Sequence, residues 1–289
     1  MSQRRALLLV NPRARQGTAV EAAVARLTAG GIAVRPETFS AGTEAADDIA
    51  RLATDADLVV IAGGDGTLSR SAGALLKTGL PLGILPTGTA NDLARTLELP
   101  TNLVAAADVI VAGRRRRIDV GSVNDCTFFN VATIGLGVDL AHTLDSDLKR
   151  RWGRLSYAIA AAKVMMRARP FRAWIRENGT ETKVRTLQVA VGNGRFYGGG
   201  TVVEEKAAID DGHLDLYSLE FESVVKLALM MRAFRTGGHG AWDDVRSLKG
   251  LKFEIRTRKP RKVNADGELV TETPALFKIH PAALEVFTP

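Results

Sequence analysis

The sequence predicts an α/β protein in two parts, and the periodicity of its apolar residues is the main reason. Up to about residue 120, short apolar runs alternate with segments of helical periodicity, as in an open parallel sheet with helices on both faces. Beyond that point, apolar and polar residues alternate with a period of two, which is typical of antiparallel strands. We therefore predict an α/β domain over 1–120 and a mainly antiparallel, sandwich-like β domain over 121–282.

The first part is predicted to contain buried parallel strands joined by crossover helices. The runs 7–10, 58–62 and 82–85 are the predicted strands. Two segments between the first two runs carry apolar residues at helical spacing: Val20, Val24 and Leu27 in one, and Ala46, Ile49 and Ala53 in the other.

The second part is predicted to be mostly strands, interrupted by two helices. The alternating segments include 214–216, 251–255 and 284–286. The helices are predicted near 146–168 and 222–235, and each combines one apolar face with several basic residues. The favoured interpretation packs each apolar face on the β core. The alternative is that these helices dock on an anionic membrane.

The composition indicates a folded protein of a reducing compartment. Of its 289 residues, 46% are hydrophobic, and Cys126 is the only cysteine, so no intramolecular disulfide can form. The first apolar run, 6–10, is too short for a signal peptide, and no apolar stretch approaches the roughly 20 residues of a membrane span. We expect a cytoplasmic protein whose membrane contact is peripheral, at the inner face of the membrane.

The charge of the chain favours anionic partners. There are 39 Lys and Arg residues against 32 Asp and Glu residues, which gives a net charge of +7. A nucleotide, an anionic bilayer or a nucleic acid would each suit this charge, but no RNA-binding or DNA-binding motif accompanies it. We therefore expect no nucleic-acid partner. The sequence leaves a homodimer open.

A glycine-rich loop follows the predicted strand 58–62 and precedes a predicted helix. Its residues are Gly63, Gly64, Asp65, Gly66 and Thr67. Glycines allow the backbone to approach a phosphate closely, and the start of a helix directs free N–H groups at it. The Thr hydroxyl can add a hydrogen bond, and the Asp carboxylate can orient Mg²⁺. A tight turn that binds nothing is an equally good interpretation of this loop alone.

A second polar loop, 85–92, follows the next predicted strand and also opens a helix. Ligands of open α/β sheets bind at the carboxyl ends of the strands, so the two loops are expected to converge on one nucleotide. Without the first loop, Thr89 to Asp92 would be interpreted as an ordinary capped helix start.

At this point the sequence resembles the diacylglycerol kinase catalytic-domain superfamily, and within it the bacterial soluble YegS-like lipid kinases. The resemblance covers nearly the whole chain. It rests on the order and spacing of the segments 10–12, 63–67, 88–92, 118–121, 129–132 with Gly135, 211–212 and 266–268. NAD kinases and phosphofructokinases look similar only around the first glycine loop.

The resemblance implies a NAD kinase/diacylglycerol kinase-like fold with ATP bound between the two domains and a final strand, at about 283–289, that returns to the first domain. The implied substrate is a hydroxyl of diacylglycerol or a related membrane lipid, phosphorylated with ATP and Mg²⁺. The residues expected to contact the nucleotide are Thr38, Gly63, Gly64, Asp65, Gly66, Thr67, Leu68, Ser69, Arg70 and Thr89.

Two acidic residues near the C-terminus are implied to act in catalysis. The general base of the lipid kinases corresponds to Asp266, which would accept the proton of the attacking hydroxyl, and Glu268 is its expected partner. From the residues alone, Asp266-Gly267 between strand-like runs predicts a hairpin turn. The two interpretations are compatible, because a tight turn is a rigid support for a carboxylate.

A structural Mg²⁺ site is also implied by the resemblance. Its ligands would be the Asp211 carboxylate and the backbone oxygens of Ala208 and His213. Asp211-Gly212 on its own is more often just a turn.

The chain departs from the family at Ser69-Arg70, where many members have Asn and Glu. Arg70 reverses the expected charge, so it can contact phosphate or mark altered nucleotide preference or activity. Two alternatives to a lipid kinase therefore stay open: a kinase of a soluble hydroxyl compound such as NAD, and a catalytically silent regulator that binds nucleotide or lipid.

Overall fold

A computed structural model describes residues 3–11, 17–39, 45–136, 138, 168–193, 196–197, 201–202, 208–221 and 244–289. Apart from residue 168, the helices predicted near 146–168 and 222–235 lie outside the described residues. In the part of the chain that is described, no helix is both long and apolar enough to cross a membrane.

The N-terminal part is a parallel sheet with strand order β2-β1-β3-β4. Its strands are β1 (Arg4–Val10), β2 (Ile32–Thr38), β3 (Leu58–Gly63) and β4 (Leu82–Pro86). Its helices are α1 (Gly17–Ala29), α2 (Ala45–Leu52), α3 (Asp65–Thr78), α4 (Asp92–Thr96) and α5 (Leu103–Ala112). Every residue of β3 and β4 is buried, because helices cover the sheet; α1 packs beside α5, and α2 beside α3.

The remaining strands pair almost entirely antiparallel. They are β5 (Arg115–Val123), β6 (Cys126–Phe128), β7 (Val131–Gly135), β8 (Phe171–Glu177), β9 (Thr180–Thr186), β10 (Gln188–Gly192), β11 (Phe196–Tyr197), β12 (Thr201–Val202), β13 (Leu214–Leu219), β14 (Val245–Gly250), β15 (Lys252–Thr257), β16 (Lys262–Ala265), β17 (Glu268–Glu272) and β18 (Ala275–Phe287). One sheet has the order β14-β13-β10-β7-β16-β17, while β18, β15, β8 and β9 extend the first sheet beyond β4. The predicted fold class is confirmed.

The last strand, β18, joins both parts of the molecule. Its first residues pair with β15, and Val286 near its end pairs in parallel with Leu82 of β4. Phe277 belongs to the core between the antiparallel sheets, whereas Val286 and Phe287 belong to the core of the parallel sheet. A single strand therefore joins the core of the β-rich part to the core of the parallel sheet.

Candidate active site

The two predicted loops touch each other at the carboxyl edge of the parallel sheet. The backbone N–H of Thr87, after β4, donates to the carbonyl of Gly63, at the end of β3, over 3.1 Å. A Cβ on Gly88 would lie 2.6 Å from Gly64 Cα, so neither position has room for a side chain. Glycine is required at both positions, because the two backbones cross in direct contact.

The second loop is held rigidly by one asparagine. Asn91 Oδ1 accepts from the N–H of Gly88 and its Nδ2 donates to the carbonyl of Gly88, each over 2.9 Å. Asn91 itself has φ 50°, a left-handed conformation that asparagine tolerates better than most residues. Asp65 Oδ1 accepts from the N–H of Leu93 over 3.2 Å, which ties the start of α3 to the start of α4.

Only some of the predicted nucleotide contacts present a side chain at this edge. Thr38 and Thr89 are exposed, at the end of β2 and in the second loop, and the Arg70 side chain is half exposed. The side chains of Thr67, Leu68 and Ser69 are buried in α3. Thr67 Oγ1 accepts from Asn11 Nδ2 over 2.8 Å, so its hydroxyl anchors the end of β1.

A two-residue turn between β16 and β17 carries the predicted catalytic acids. Asp266 and Gly267 both have positive φ, 47° and 95°, as a type I′ hairpin turn requires. Asn264 Oδ1 accepts from the N–H of Gly267 over 3.0 Å and closes the turn. The hairpin predicted from Asp266-Gly267 is therefore present.

The Asp266 carboxylate is bound by the backbone of another segment. It accepts from the N–H groups of Phe129, Asn130 and Val131 over 2.7, 3.0 and 3.1 Å. Burial and, to a smaller extent, the nearby Asp65 charge raise the pKa of Asp266 to about 6, although these N–H groups act in the opposite direction. The turn is thereby locked to the segment before β7, with its carboxyl close to the first glycine loop.

The Glu268 carboxylate faces the start of α3 directly. A Cβ built on Gly66 would lie 3.4 Å from Glu268 Oε1. Glu268 Oε1 also pairs with Arg70 Nη1 over 2.7 Å, and both side chains are about half exposed, at 48% and 47%. Arg70, the residue that departs from the family pattern, therefore bridges the glycine loop to the hairpin.

Comparison with known proteins agrees with this architecture. Residues 5–123 match the family model described as the diacylglycerol kinase catalytic domain, and residues 132–288 match the YegS C-terminal NAD kinase beta sandwich-like domain. The chain belongs to the diacylglycerol kinase family. The resemblance noted in the sequence is thus confirmed, down to its YegS-like branch.

The relatives of this kinase family cover most of the chain. A protein of Mycobacterium tuberculosis (strain ATCC 25618 / H37Rv) named "Diacylglycerol kinase" is 35% identical over 97% of this chain and 94% of its own length. The "Probable lipid kinase YegS-like" of Klebsiella pneumoniae (strain 342) is 34% identical over 82% and 80%. A crystal structure of a diacylglycerol kinase from Bacillus anthracis str. Sterne superposes with a TM-score of 0.80 at 26% identity, covering 100% of this chain and 98% of that one.

At the implied structural Mg²⁺ site, the Asp211 carboxylate already has two partners. Asp211 Oδ2 pairs with Lys249 Nζ over 2.7 Å, and Asp211 Oδ1 accepts from the N–H of His213 over 3.0 Å. The Ala208 carbonyl accepts from the N–H of Asp211 over 3.3 Å. A divalent cation would have to displace the ammonium group of Lys249, so the residues in this arrangement do not fit Mg²⁺.

Sequence reasoning missed several residues that position this site. Asp119 is buried and accepts from the N–H groups of Gly212 and Ala282, over 2.6 and 2.7 Å, which ties the 208–213 loop to β18. Asn193 donates to the carbonyls of Asp119 and Phe129. The segments 118–121 and 129–132 resemble motifs of the family. No local signal indicates that backbone N–H groups of the second segment bind the Asp266 carboxylate.

Proposed function

We propose that this protein is an ATP-dependent, Mg²⁺-requiring kinase that transfers the γ-phosphate to a hydroxyl of diacylglycerol or a related membrane lipid. The observation that carries the proposal is the approach of the Glu268 carboxylate to Gly66, at the start of α3. This approach puts a carboxylate directly beside the loop proposed to bind the phosphates, where the transferred phosphoryl group and an attacking hydroxyl would have to meet. Membership of the diacylglycerol kinase family supports a lipid acceptor.

The nucleotide phosphates are proposed to lie against the start of α3. This helix has 14 residues, so the N–H groups of its first turn and its dipole favour an anion. Because the side chains of Thr67, Leu68 and Ser69 are buried, their expected contribution is through the backbone. Thr38, Thr89 and Arg70 supply the exposed side chains around it.

The geometry supports Glu268 as the group that accepts the hydroxyl proton. Its carboxylate is half exposed and faces the phosphate loop, whereas the Asp266 carboxylate already accepts three backbone hydrogen bonds. We therefore propose that Asp266 positions the hairpin and Glu268 is the base. The sequence-based prediction assigns the roles the other way round, with Asp266 as the base. It stays an alternative, because the Asp266 pKa of about 6 also suits a base at neutral pH.

Arg70 is proposed to neutralise phosphate charge beside the base. Its Nη1 atom lies 3.7 Å from the position of a Cβ on Gly66, so the guanidinium already borders the phosphate loop. In the present arrangement it pairs with Glu268. If Arg70 exchanges Glu268 for a phosphate oxygen, the Glu268 carboxylate becomes free to accept a proton.

Asp65 is the described residue best placed to orient Mg²⁺ that arrives with ATP. Burial raises the pKa of Asp65, and the charge of Asp92 also raises it, so a bound cation would stabilise the ionised form of this carboxyl. Within the described ranges, no three acidic, histidine or cysteine side chains form a metal site by themselves. This suits Mg²⁺, which proteins bind through one or two carboxylates together with substrate phosphates, and which would neutralise charge on the transferred group.

The test is a transfer assay with γ-labelled ATP and Mg²⁺, offering diacylglycerol and other lipid alcohols in mixed micelles and NAD in solution. We expect label in a lipid product. Glu268→Gln should lower kcat by about 1,000-fold, within the range for loss of a general base, whereas Asp266→Asn should retain more activity than Glu268→Gln. Glu272→Gln, at the exposed far end of β17, is the matched control and should be near normal.

The other outcomes of this assay favour different functions. Label only in NAD would support a kinase of a soluble compound, and ATP binding without any turnover would support a silent regulator. Full activity in Glu268→Gln, with loss in Asp266→Asn, would return the base to Asp266. We propose that the enzyme meets its lipid substrate as a peripheral protein at the inner face of the membrane.

A further inference from the structure

A basic cleft of about 480 Å³ is lined by none of the residues proposed for catalysis. It lies where β8 begins and where the chain leaves β15. Its lining consists of Phe171, Arg172, Thr257, Arg258, Lys259 and Arg261. Four of these six residues are basic and none is acidic, so the cleft is suited to a ligand that carries negative charge.

The backbone of this cleft is held in place. The Thr257 hydroxyl donates to the carbonyl of Lys259 over 2.7 Å. The N–H of Arg261 donates to the buried Thr273 Oγ1 over 3.0 Å, and the N–H of Thr273 donates to the Arg261 carbonyl over 2.9 Å. The Arg261 guanidinium stacks 4.0 Å from the centroid of the Phe171 ring. The basic side chains are therefore presented by an anchored loop, which lowers the entropic cost of binding an anion.

The charges that face each other at the cleft differ from those at the other end of the same sheet surface. At that other end, Arg176 pairs with Glu181 and Glu254 over 3.3 and 3.2 Å. At the cleft, Arg172 lies directly opposite another arginine, Arg185, in the β8–β9 pair, an arrangement that disfavours folding.

Within the described ranges, no ion pair joins Arg172, Arg258 or Lys259 to an acidic side chain. All three side chains belong to exposed residues. A bound anion would offset their mutual repulsion.

A tryptophan between the two ends indicates what kind of anionic partner fits. Trp174 follows Arg172 on the same side of β8, is half-buried, and has Lys183 Nζ 6.0 Å from its ring centroid. Basic residues around a partly exposed tryptophan suit the interface of a membrane, where the ring lies at the level of the headgroups. A small phosphate compound would need only the cleft.

We propose that the surface formed by Arg172, Trp174, Arg185, Arg258, Lys259 and Arg261 binds the headgroup phosphates of an anionic phospholipid bilayer. β16 starts at Lys262, directly after Arg261, and ends at Ala265, directly before Asp266. At about 3.3 Å per residue, this strand puts the surface roughly 15 Å from the catalytic hairpin. This inference extends the proposed lipid kinase function, because it names the surface by which the enzyme binds the membrane. The biological role of that binding rests on the proposed function, whereas the binding itself does not.

The test is co-sedimentation with vesicles, in the absence of ATP. The full chain is mixed with phosphatidylcholine vesicles and with vesicles that also contain phosphatidylglycerol, and the triple variant Arg172→Gln, Arg258→Gln, Lys259→Gln is compared with it. We expect binding that depends on phosphatidylglycerol and falls roughly 100-fold in the triple variant, since each basic residue at an anionic surface contributes about fivefold.

A second triple variant separates this surface from net charge. Arg26→Gln, Arg51→Gln and Lys77→Gln remove the same charge from the last turns of α1, α2 and α3 and should leave binding within about threefold of the wild type, a range that allows only for long-range attraction. Equal losses in the two triple variants would overturn the proposal. Equal binding to both vesicle types would overturn it as well.

Two further measurements distinguish other sources of the anion. If millimolar inorganic phosphate displaces the protein from the vesicles, the ligand is a small phosphate and the bilayer proposal is overturned. If the protein binds duplex DNA but no vesicles, and the first triple variant loses DNA binding, the ligand is a nucleic acid and the proposal is overturned as well. The Glu268→Gln variant should bind vesicles as the wild type does. A wild type that binds vesicles but has no kinase activity would reject the kinase and keep this surface.

Discussion

The two turns formed by Asp211-Gly212 and Asp266-Gly267 look alike in sequence and differ in what holds their carboxylates. At the first, the carboxylate pairs with the Lys249 side chain on a neighbouring strand and with a backbone N–H two residues away. At the second, it accepts three backbone N–H groups from a segment more than 130 residues distant. Both glycines have positive φ, whereas of the two aspartates only Asp266 does.

The difference shows that the surroundings, not the dipeptide, decide the chemistry of these turns. The turn at 266 lies against the first glycine loop, and burial raises the pKa of its carboxyl to about 6. The turn at 211 lies on the 208–213 loop, which is held in place by a hydrogen bond from the Gly212 N–H to the buried Asp119 carboxylate. We infer that the first turn serves catalysis and the second serves stability, and the following predictions test that division.

The largest contrast is expected from alanine at the two aspartates. Asp266→Ala leaves the N–H groups of Phe129, Asn130 and Val131 without their acceptor and puts alanine at φ 47°, so it should lower the free energy of unfolding by about 4 kcal/mol. Asp211→Ala removes one partly exposed ion pair and one backbone hydrogen bond and should cost about 2 kcal/mol. Urea unfolding at pH 7 measures both, and equal losses would contradict the division.

The pH dependence of stability provides the next contrast. The pKa of Asp266 is raised in the folded state, so folding favours the protonated carboxyl, and the stability from this group is present below about pH 4 and lost as the pH rises to about 6. Relative to Asp266→Asn, the wild type should therefore lose at most about 3 kcal/mol across this window and nothing further above it.

Urea unfolding of both proteins at half-unit steps of pH is the measurement, because urea is uncharged and does not screen the carboxylates. The difference between wild type and Asp266→Asn cancels the other titrating groups to first order, although Asp65 is coupled to Asp266. A constant difference between pH 4 and 6, or a wild type that gains stability with rising pH relative to the variant, would contradict the assigned surroundings of Asp266.

The glycines of the two turns form a matched pair of variants. A Cβ on Gly212 or Gly267 would meet no atom within 4 Å, so Gly212→Ala and Gly267→Ala introduce only backbone strain, about 1–2 kcal/mol each. Both should unfold at similarly lowered urea concentrations. Only Gly267→Ala should also lower kcat, by about tenfold, because a shift of the turn moves Glu268 relative to Gly66. A similar loss of kcat in Gly212→Ala would show that the turns do not divide stability from catalysis.

The elements that could be predicted from the sequence are those whose signal is local. The runs 58–62 and 82–85 became β3 and β4 with one additional residue each, because strands buried on both faces are continuously apolar. The hairpin at Asp266-Gly267 was equally visible, since a two-residue turn with two positive φ angles favours Asp-Gly. Short-range steric preferences determine both kinds of feature.

What could not be predicted depends on pairing between distant residues. Arg70 and Glu268 are 198 positions apart, and nothing in either local pattern indicates that they meet. The same holds for Lys249, whose position in β14 shows no sign of Asp211, 38 positions earlier. The sequence shows that Arg70 reverses the charge expected in the family, but only the fold shows that Arg70 pairs with the Glu268 carboxylate.

The smallest effect is expected at Lys249. Its ammonium is about half exposed, so Lys249→Met should change the free energy of unfolding by no more than about 1 kcal/mol. The variant also frees Asp211 Oδ2. We expect millimolar Mg²⁺, without nucleotide, to leave the melting temperature of the wild type unchanged and to raise that of Lys249→Met, since a carboxylate without its ammonium partner can accept a hard cation.

The double variant Lys249→Met, Asp211→Asn is the control and should lose the Mg²⁺ response, because the oxygen that would bind the cation is no longer charged. An Mg²⁺ response already present in the wild type, and abolished by Asp211→Asn alone, would show that the cation displaces Lys249 and that the predicted site of Ala208, Asp211 and His213 forms. In that case both Asp-Gly turns would serve a ligand, and the contrast between them would lie in which ligand each one meets.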